Sequence, residues 1–334
     1  MNHFSHLYVE QAAFDYPLAR RMLERFPNAQ VVPITDYKSI FARPRQNFQA
    51  QKRSMKLVLA VKKDRFLYPG SDHSQGFGLT NFFYNTLMLN CVYNCSYCYL
   101  QGMYPSANLV AFVNDTDFFD AARQAIVDRA NPAQPLYICL SYDTDLLAFE
   151  QVTPYCRTWI DFARQQPDLL VEIRTKSGAY RAIRDLPATE RAILAWTLSP
   201  PSVASRYEQG APPLPQRLKA AAAAIADGWP VRLCFDPVLA TPDWQTVYGA
   251  LLDETFTAID PSSVRDVTVG VFRMTASYFD RLKRQRPDTD LVYSAYQRVG
   301  DTLSYPADLQ RDIRDYMQER LSRFFRAERI AVWA

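Results

Sequence analysis

Residues 82–101 read FFYNTLMLNCVYNCSYCYLQ, and this stretch decides the fold. Its first half, Phe82–Leu89, is a continuous apolar run of the kind that forms a strand buried on both faces. Its second half puts Cys91, Cys95 and Cys98 in a CxxxCxxC spacing in the loop that leaves this strand. Three thiolates within eight residues converge on one centre only if the loop wraps around it. Structural zinc wants four closed ligands, and the sequence supplies no fourth: His3, His6 and His73 have no ligand-like spacing. The other cysteines, Cys139, Cys156 and Cys234, stand alone in apolar or helical contexts and read as small buried hydrophobes. Three ligands without a fourth suit a [4Fe–4S] cluster with one iron open to a substrate or cofactor.

Working outward, apolar and β-branched runs recur at Leu57–Val61, Leu109–Val113, Leu136–Leu140, Leu169–Ile173, Ile193–Leu198, Val231–Phe235, Val267–Phe272 and Ile330–Trp333. Between them lie amphipathic helical patterns at Asp117–Arg129, Pro154–Gln165, Pro215–Ala226, Asp243–Thr257 and Pro306–Arg326. Strand and helix alternating about six times predict parallel βαβ units. The fold class is therefore α/β, an open or partly closed barrel with its chemistry at the C-terminal strand ends. The first seventy residues lack the alternation. Residues 1–75 read as an N-terminal extension packed on a barrel of residues 76–334, with no linker between them.

Composition narrows the function. The chain has 334 residues, 48% hydrophobic, enough for a sizeable core. Only ten glycines are present, and neither GxxxxGK[ST] nor GxGxxG occurs, which argues against nucleotide hydrolysis and an ordinary dinucleotide fold. Net charge is +3, yet eight basic residues against one acid, Asp64, lie between Arg43 and Arg65. Such a run is either a solvated surface or a strip facing phosphate. The N-terminus lacks the pattern of a signal peptide and no apolar stretch reaches membrane-spanning length, so the expected location is cytoplasmic.

CxxxCxxC after a first barrel strand resembles the radical S-adenosylmethionine (SAM) superfamily, and CVYNCSYCYLQG narrows the resemblance to the spore photoproduct lyase family. FDYPLARRMLERF, QKRSMKLVLAVKK, DTDLLAFEQVT, RTKS, EQGAPPLPQRLKAA and VFRMT resemble that family in the same order, over nearly the whole chain. The resemblance implies a partial (β/α)6 barrel of the radical SAM type. It implies a [4Fe–4S] cluster on Cys91, Cys95 and Cys98, SAM at the open iron, and a 5′-deoxyadenosyl radical that abstracts hydrogen from a thymine dimer. By position it implies Tyr97, Thr144, Lys176 and Thr197 as SAM-binding groups. Lys176 follows a strand and suits the SAM carboxylate. Arg273 matches an arginine near the lesion, able to fork to phosphate or a pyrimidine carbonyl. Glu208, Gly210 and Arg217 also match, and read as a turn and a helix start.

Two departures bear on the substrate. The family carries a hydrogen-donating cysteine where this chain has Ser141 or Tyr142, which leaves Tyr99 or Tyr142 as donors. If Leu136–Tyr142 is one strand, Cys139 faces away from residue 142. Residues 290–305, DLVYSAYQRVGDTLSY, match a basic hairpin that enters DNA, but hold one cation, Arg298. The superfamily's Gly-Gly-Glu element is absent as well. Three functions remain open: a radical SAM lyase on a nucleic-acid or nucleoside-like substrate, served by a reductant such as flavodoxin or ferredoxin; the same chemistry on an unrelated small molecule or peptide; and a cluster-containing nucleic-acid-binding or electron-transfer protein.

Overall fold

Leu57–Ala60, Leu109–Phe112 and Leu136–Cys139 are buried at every position, as parallel strands covered on both faces must be. The computed structural model that contains them describes residues 3–70, 77–140 and 142–333. The chain divides into two units, residues 1–92 with 103–173 and residues 93–102 with 174–334.

The first unit holds a five-stranded sheet in the order Gln30–Ile34, His6–Glu10, Leu57–Ala60, Leu109–Phe112, Met88–Leu89. All neighbours are parallel except the last pair. Residues 6–60 therefore do alternate strand and helix, although the first seventy residues show no such alternation in sequence. Their helices at Lys38–Phe41 and Phe48–Arg53 have four and six residues, too short to display a helical period. Gln30–Ile34 is an edge strand that contains Pro33 and buries none of its residues, so its apolar signal is weak.

Also in the first unit, Leu136–Cys139 pairs in parallel with Leu169–Glu172 on one side and with Phe82–Tyr84 on the other. Tyr68–Pro69 closes the edge antiparallel to Phe83–Tyr84. The apolar run Phe82–Leu89 is thus two strands in different sheets. Polar Asn85 and Thr86 interrupt it, and a run apolar on both faces cannot say which partner each half takes. Leu169–Thr175 then carries the chain into the second unit.

The second unit lines up Ala192–Thr197, Val231–Val238, Asp266–Val271 and Ile330–Trp333, all parallel. Helices Leu214–Ala226, Trp244–Ala258 and Ala307–Leu321 lie between them in sequence, close to the predicted spans. Two elements were not foreseen. Ala276–Gln285 is a helix burying Ala276, Phe279 and Leu282. Arg273–Thr275, Thr302–Ser304 and Gln297–Val299 form a small antiparallel sheet, so residues 290–305 do contain a hairpin. Among the described residues no helix is long and apolar enough to cross a membrane.

Candidate active site

The cysteine segment starts at Asn90, which takes a left-handed φ of 66° and donates to the carbonyls of Ser106 and Asn108. Asparagine tolerates that backbone region better than most residues. Lys52 donates to the Cys91 carbonyl. None of the three cysteines is in a disulfide; Cys95 is buried, Cys91 and Cys98 half-buried. Within the second unit Asn94–Cys95 pairs antiparallel with Glu208–Gln209. The Cys98 amide donates to the Cys95 carbonyl at 3.1 Å, and Gln101 Nε2 reaches the same oxygen at 2.6 Å. Arg286 donates to Ser96 Oγ at 2.9 Å and to Asn94 Oδ1 at 3.3 Å. Gly102 ends the segment against helix Ala276–Gln285, where a Cβ would stand 2.1 Å from the Tyr278 carbonyl oxygen.

Glu208 occupies the centre of this region. Its carboxylate accepts from the Tyr97 hydroxyl, from Ser199 Oγ at 2.8 Å and from the Arg217 guanidinium. Arg217, itself fully buried, also donates to the carbonyls of Pro212 at 2.8 Å and Thr197 at 3.1 Å. Gly210, at φ +84°, makes the turn between Glu208 and the helix that carries Arg217. Burial alone would raise the Glu208 carboxyl, but Lys176, Arg217 and the Tyr97 hydrogen bond hold it below its usual value. The same burial, then the charge of Glu208, pushes the Tyr97 phenol well up. The turn and helix start read from the sequence at Glu208, Gly210 and Arg217 are present, and in addition Glu208 and Arg217 form a buried ion pair that the sequence reading did not include. The missed signal was a pair of opposite charges on either side of the proline-rich turn APPLP.

Lys176 stands on a turn fixed by the Ser177 amide on Thr175 Oγ1 at 2.8 Å and by Trp196 Nε1 on the Ser177 carbonyl at 3.0 Å. Its ammonium lies 5.6 Å from the Tyr97 ring centroid. Burial lowers its pKa, but Glu208, with Cys95 and Cys98, more than offsets this and holds Lys176 above the ordinary lysine value. The structure thus brings Cys95, Tyr97, Cys98 and Lys176 together in the second unit. Thr197 is linked to them only through its backbone carbonyl and Arg217.

Thr144 lies in the first unit, with Oγ1 buried and without a hydrogen-bond partner among the described residues. Tyr142, in the same unit, packs edge-on against Tyr84 with ring centroids 5.1 Å apart. Ser141 lies outside the described residues. The preceding strand ends at Cys139, so its alternation does not extend to residue 142, and the Cys139 thiol is buried 3.9 Å from Glu172 Oε1. Tyr99 is half-buried and its carbonyl accepts from the Gly102 amide. Arg273, half-buried, opens the strand Arg273–Thr275 and donates to the Val271 carbonyl at 3.3 Å. Within the basic run, Lys52, Lys56 and Lys62 are half-buried and make internal hydrogen bonds, while Arg43, Arg45, Arg53, Lys63 and Arg65 are exposed, Arg43 with its Nε on the Ser39 carbonyl at 2.6 Å.

A family model described as spore photoproduct lyase matches residues 3–334. The chain belongs to the spore photoproduct lyase family. Spore photoproduct lyase of Bacillus subtilis (strain 168) is 22% identical, with 96% of this chain and 95% of that protein covered. The Geobacillus sp. (strain Y412MC61) protein is 21% identical with the same coverage. A spore photoproduct lyase structure complexed with dinucleoside spore photoproduct has a TM-score of 0.85 at 20% identity, covering 99% of this chain and 98% of that one. A mutant with bound AdoMet and the same dinucleoside has a TM-score of 0.83, covering 99% of each. The fold is therefore the α/β partial barrel of the radical SAM type found in this family.

The residues fit the family's cofactors. Among the described residues no three His, Cys, Asp or Glu side chains are grouped to hold a single metal ion. A cubane takes each thiolate on a different iron, so its ligands stand further apart than those of one ion. Three reduced cysteines on a pinned segment, with the Lys176 cation 5.6 Å from the ring centroid of Tyr97, suit thiolate ligation. The orphaned Thr144 hydroxyl is a polar group in reserve, and leaving it unpaired costs about 1–3 kcal/mol.

Proposed function

We propose that this chain is a radical SAM enzyme that acts on a nucleic-acid or nucleoside-like substrate, with dinucleoside spore photoproduct as the reference compound. The observation that carries the reading is the cysteine segment, held between Glu208–Gln209 and Arg286, with the Lys176 ammonium 5.6 Å from the ring centroid of its Tyr97. When bound, a [4Fe–4S] cluster supplies one electron to SAM and yields a 5′-deoxyadenosyl radical. Cys91, Cys95 and Cys98 hold the irons. Lys176 pairs the SAM carboxylate, Thr144 and Thr197 meet its polar atoms, and Tyr97 limits the cofactor pocket. The Tyr97 hydroxyl is already committed to Glu208, so its ring and not its oxygen is what remains for the adenine. Arg273 offers a guanidinium to a phosphate or pyrimidine carbonyl. A phenol, Tyr142 or Tyr99, returns hydrogen to the product radical. A small reductant protein such as flavodoxin or ferredoxin delivers the electron.

One observation favours a second reading. The hairpin at Gln297–Ser304 has Arg298 as its one basic residue, and this donates to the Gly300 carbonyl at 2.9 Å. A hairpin so poor in cations grips phosphate weakly, which suits a small molecule or peptide better than duplex DNA. Anaerobic reconstitution with iron and sulfide, then reduction with SAM, should give 5′-deoxyadenosine, and adding the dinucleoside photoproduct should give thymine product. No 5′-deoxyadenosine from a cluster-loaded protein would refute the radical reading. Its formation without any thymine product would favour the second one.

A further inference from the structure

Tyr142 does not stand alone. Its ring meets Tyr84 at a centroid distance of 5.1 Å and an interplanar angle of 68°. Tyr84 in turn stacks on Tyr68 at 5.1 Å and 16°, because the two are register partners in adjacent antiparallel strands. The row ends at Lys62, whose ammonium donates to the Tyr68 hydroxyl at 3.0 Å. All four residues lie in the first unit. The Tyr142 end is held by its neighbours: Asp143 accepts from Thr86 Oγ1 at 2.5 Å, and Asp145 caps the helix Leu146–Phe149 through the Ala148 amide at 3.0 Å.

Hydrophobic packing would be satisfied by phenylalanine at each of these positions. Instead all three rings carry hydroxyls, all three are half-buried rather than sealed in the core, and a cation is hydrogen-bonded to the outermost oxygen. The one thiol on the adjoining strand, Cys139, is only 3% exposed and lies against Glu172. We propose that Tyr142, Tyr84 and Tyr68 form a relay that brings a hydrogen atom inward to quench the product radical, in place of a thiol.

The relay rests on the radical reading given above. The carbon radical takes hydrogen from Tyr142: a C–H bond forms, the O–H bond breaks, and a phenoxyl remains. That phenoxyl takes an electron from Tyr84 and a proton, and the Tyr84 phenoxyl is refilled from Tyr68 in the same way. At the outer end a one-electron donor of the thiol or dithionite class reduces the Tyr68 phenoxyl. The Lys62 ammonium supplies the proton and regains it from water. Each step moves one electron and one proton, and none remains unbalanced.

The test places a trap at the outer end. Tyr68→3-aminotyrosine gives a ring more easily oxidised than tyrosine, on which the radical stops and can be read by electron paramagnetic resonance. Reconstituted protein is given one electron equivalent, SAM and the dinucleoside photoproduct, then frozen. The relay predicts an aminotyrosyl signal, and its loss when Tyr84→Phe is added, since the ring stays but its O–H is gone. A merely structural Tyr84 would leave the signal unchanged. If 5′-deoxyadenosine forms and the trap stays silent, or if Tyr84→Phe leaves the signal intact, the relay is overturned and the radical reading stands. If no 5′-deoxyadenosine forms, both fall. Equal iron content and melting temperature in the two proteins show that the comparison concerns transfer and not folding.

Discussion

A carboxylate as buried as Glu208 is tolerable only where its charge is met, and here two cations and two hydroxyls meet it. Removing one side of such an arrangement leaves the other uncompensated, which typically costs about 3–5 kcal/mol. Glu208→Gln keeps the shape and deletes the charge that Arg217 and Lys176 share. A clear drop in the thermal midpoint and poorer iron uptake are therefore expected, because Glu208 also pairs in register with Cys95. Lys176→Ala should behave differently. On the proposed reading it removes the partner of the SAM carboxylate, so iron content should hold while SAM affinity falls roughly ten- to hundredfold, the worth of about 1.5–3 kcal/mol. Calorimetric titration with SAM separates the two variants; equal SAM affinity in Lys176→Ala and the parent protein would leave that lysine only the role of meeting the Glu208 charge. The contrast also shows what single residues disclose in sequence. The thiols and Lys176 stand in motifs whose spacing carries meaning. Glu208 and Arg217 are joined only through three-dimensional burial, and eight residues of turn and helix between them hide the pairing.

At the level of elements, strands were legible wherever an apolar run was long and uninterrupted, and Leu136–Cys139, Ala192–Thr197 and Asp266–Val271 lie close to where periodicity put them. Short elements were not. Ala276–Gln285 buries Ala276, Phe279 and Leu282 at helical spacing, but three apolar positions in a charged decapeptide give a weak signal. That helix nonetheless decides how the cysteine segment ends. With Gly102 packed against the Tyr278 backbone, Gly102→Ala would force a Cβ to within 2.1 Å of a carbonyl oxygen that cannot rotate aside. Overpacking of this kind costs about 1–3 kcal/mol where neighbours are rigid. The segment should shift at Cys98, the nearest of the three cysteines, and iron bound per chain after reconstitution should fall. Full iron loading in Gly102→Ala would mean that the helix yields instead.

At the scale of the whole molecule, charge sets what kind of nucleic acid the chain can hold. The net charge of +3 is small, and of the eight basic residues between Arg43 and Arg65 five are exposed, while Lys52, Lys56, Lys62 and the exposed Arg43 make internal hydrogen bonds. The hairpin adds only Arg298, and the large side chains it and its approach expose are Val299 and Tyr293. Each phosphate contact contributes a slope of about −0.9 to the fall of log affinity with log salt. One cation already bonded to a carbonyl can add no more than about one such contact. Duplex oligonucleotide binding should thus be weak, and Arg298→Ala should flatten its salt dependence by less than about 0.9. Turnover of the dinucleoside photoproduct carries no such demand, since a dinucleoside presents at most one bridging phosphate. The dinucleoside should therefore be converted at a rate nearly independent of salt, whereas the same lesion within a duplex should be converted poorly and lose rate as salt rises. Faster conversion in the duplex than in the dinucleoside, with a steep salt dependence, would show that exposed cations outside the hairpin, Arg43 and Arg45 among them, supply the grip that the hairpin lacks.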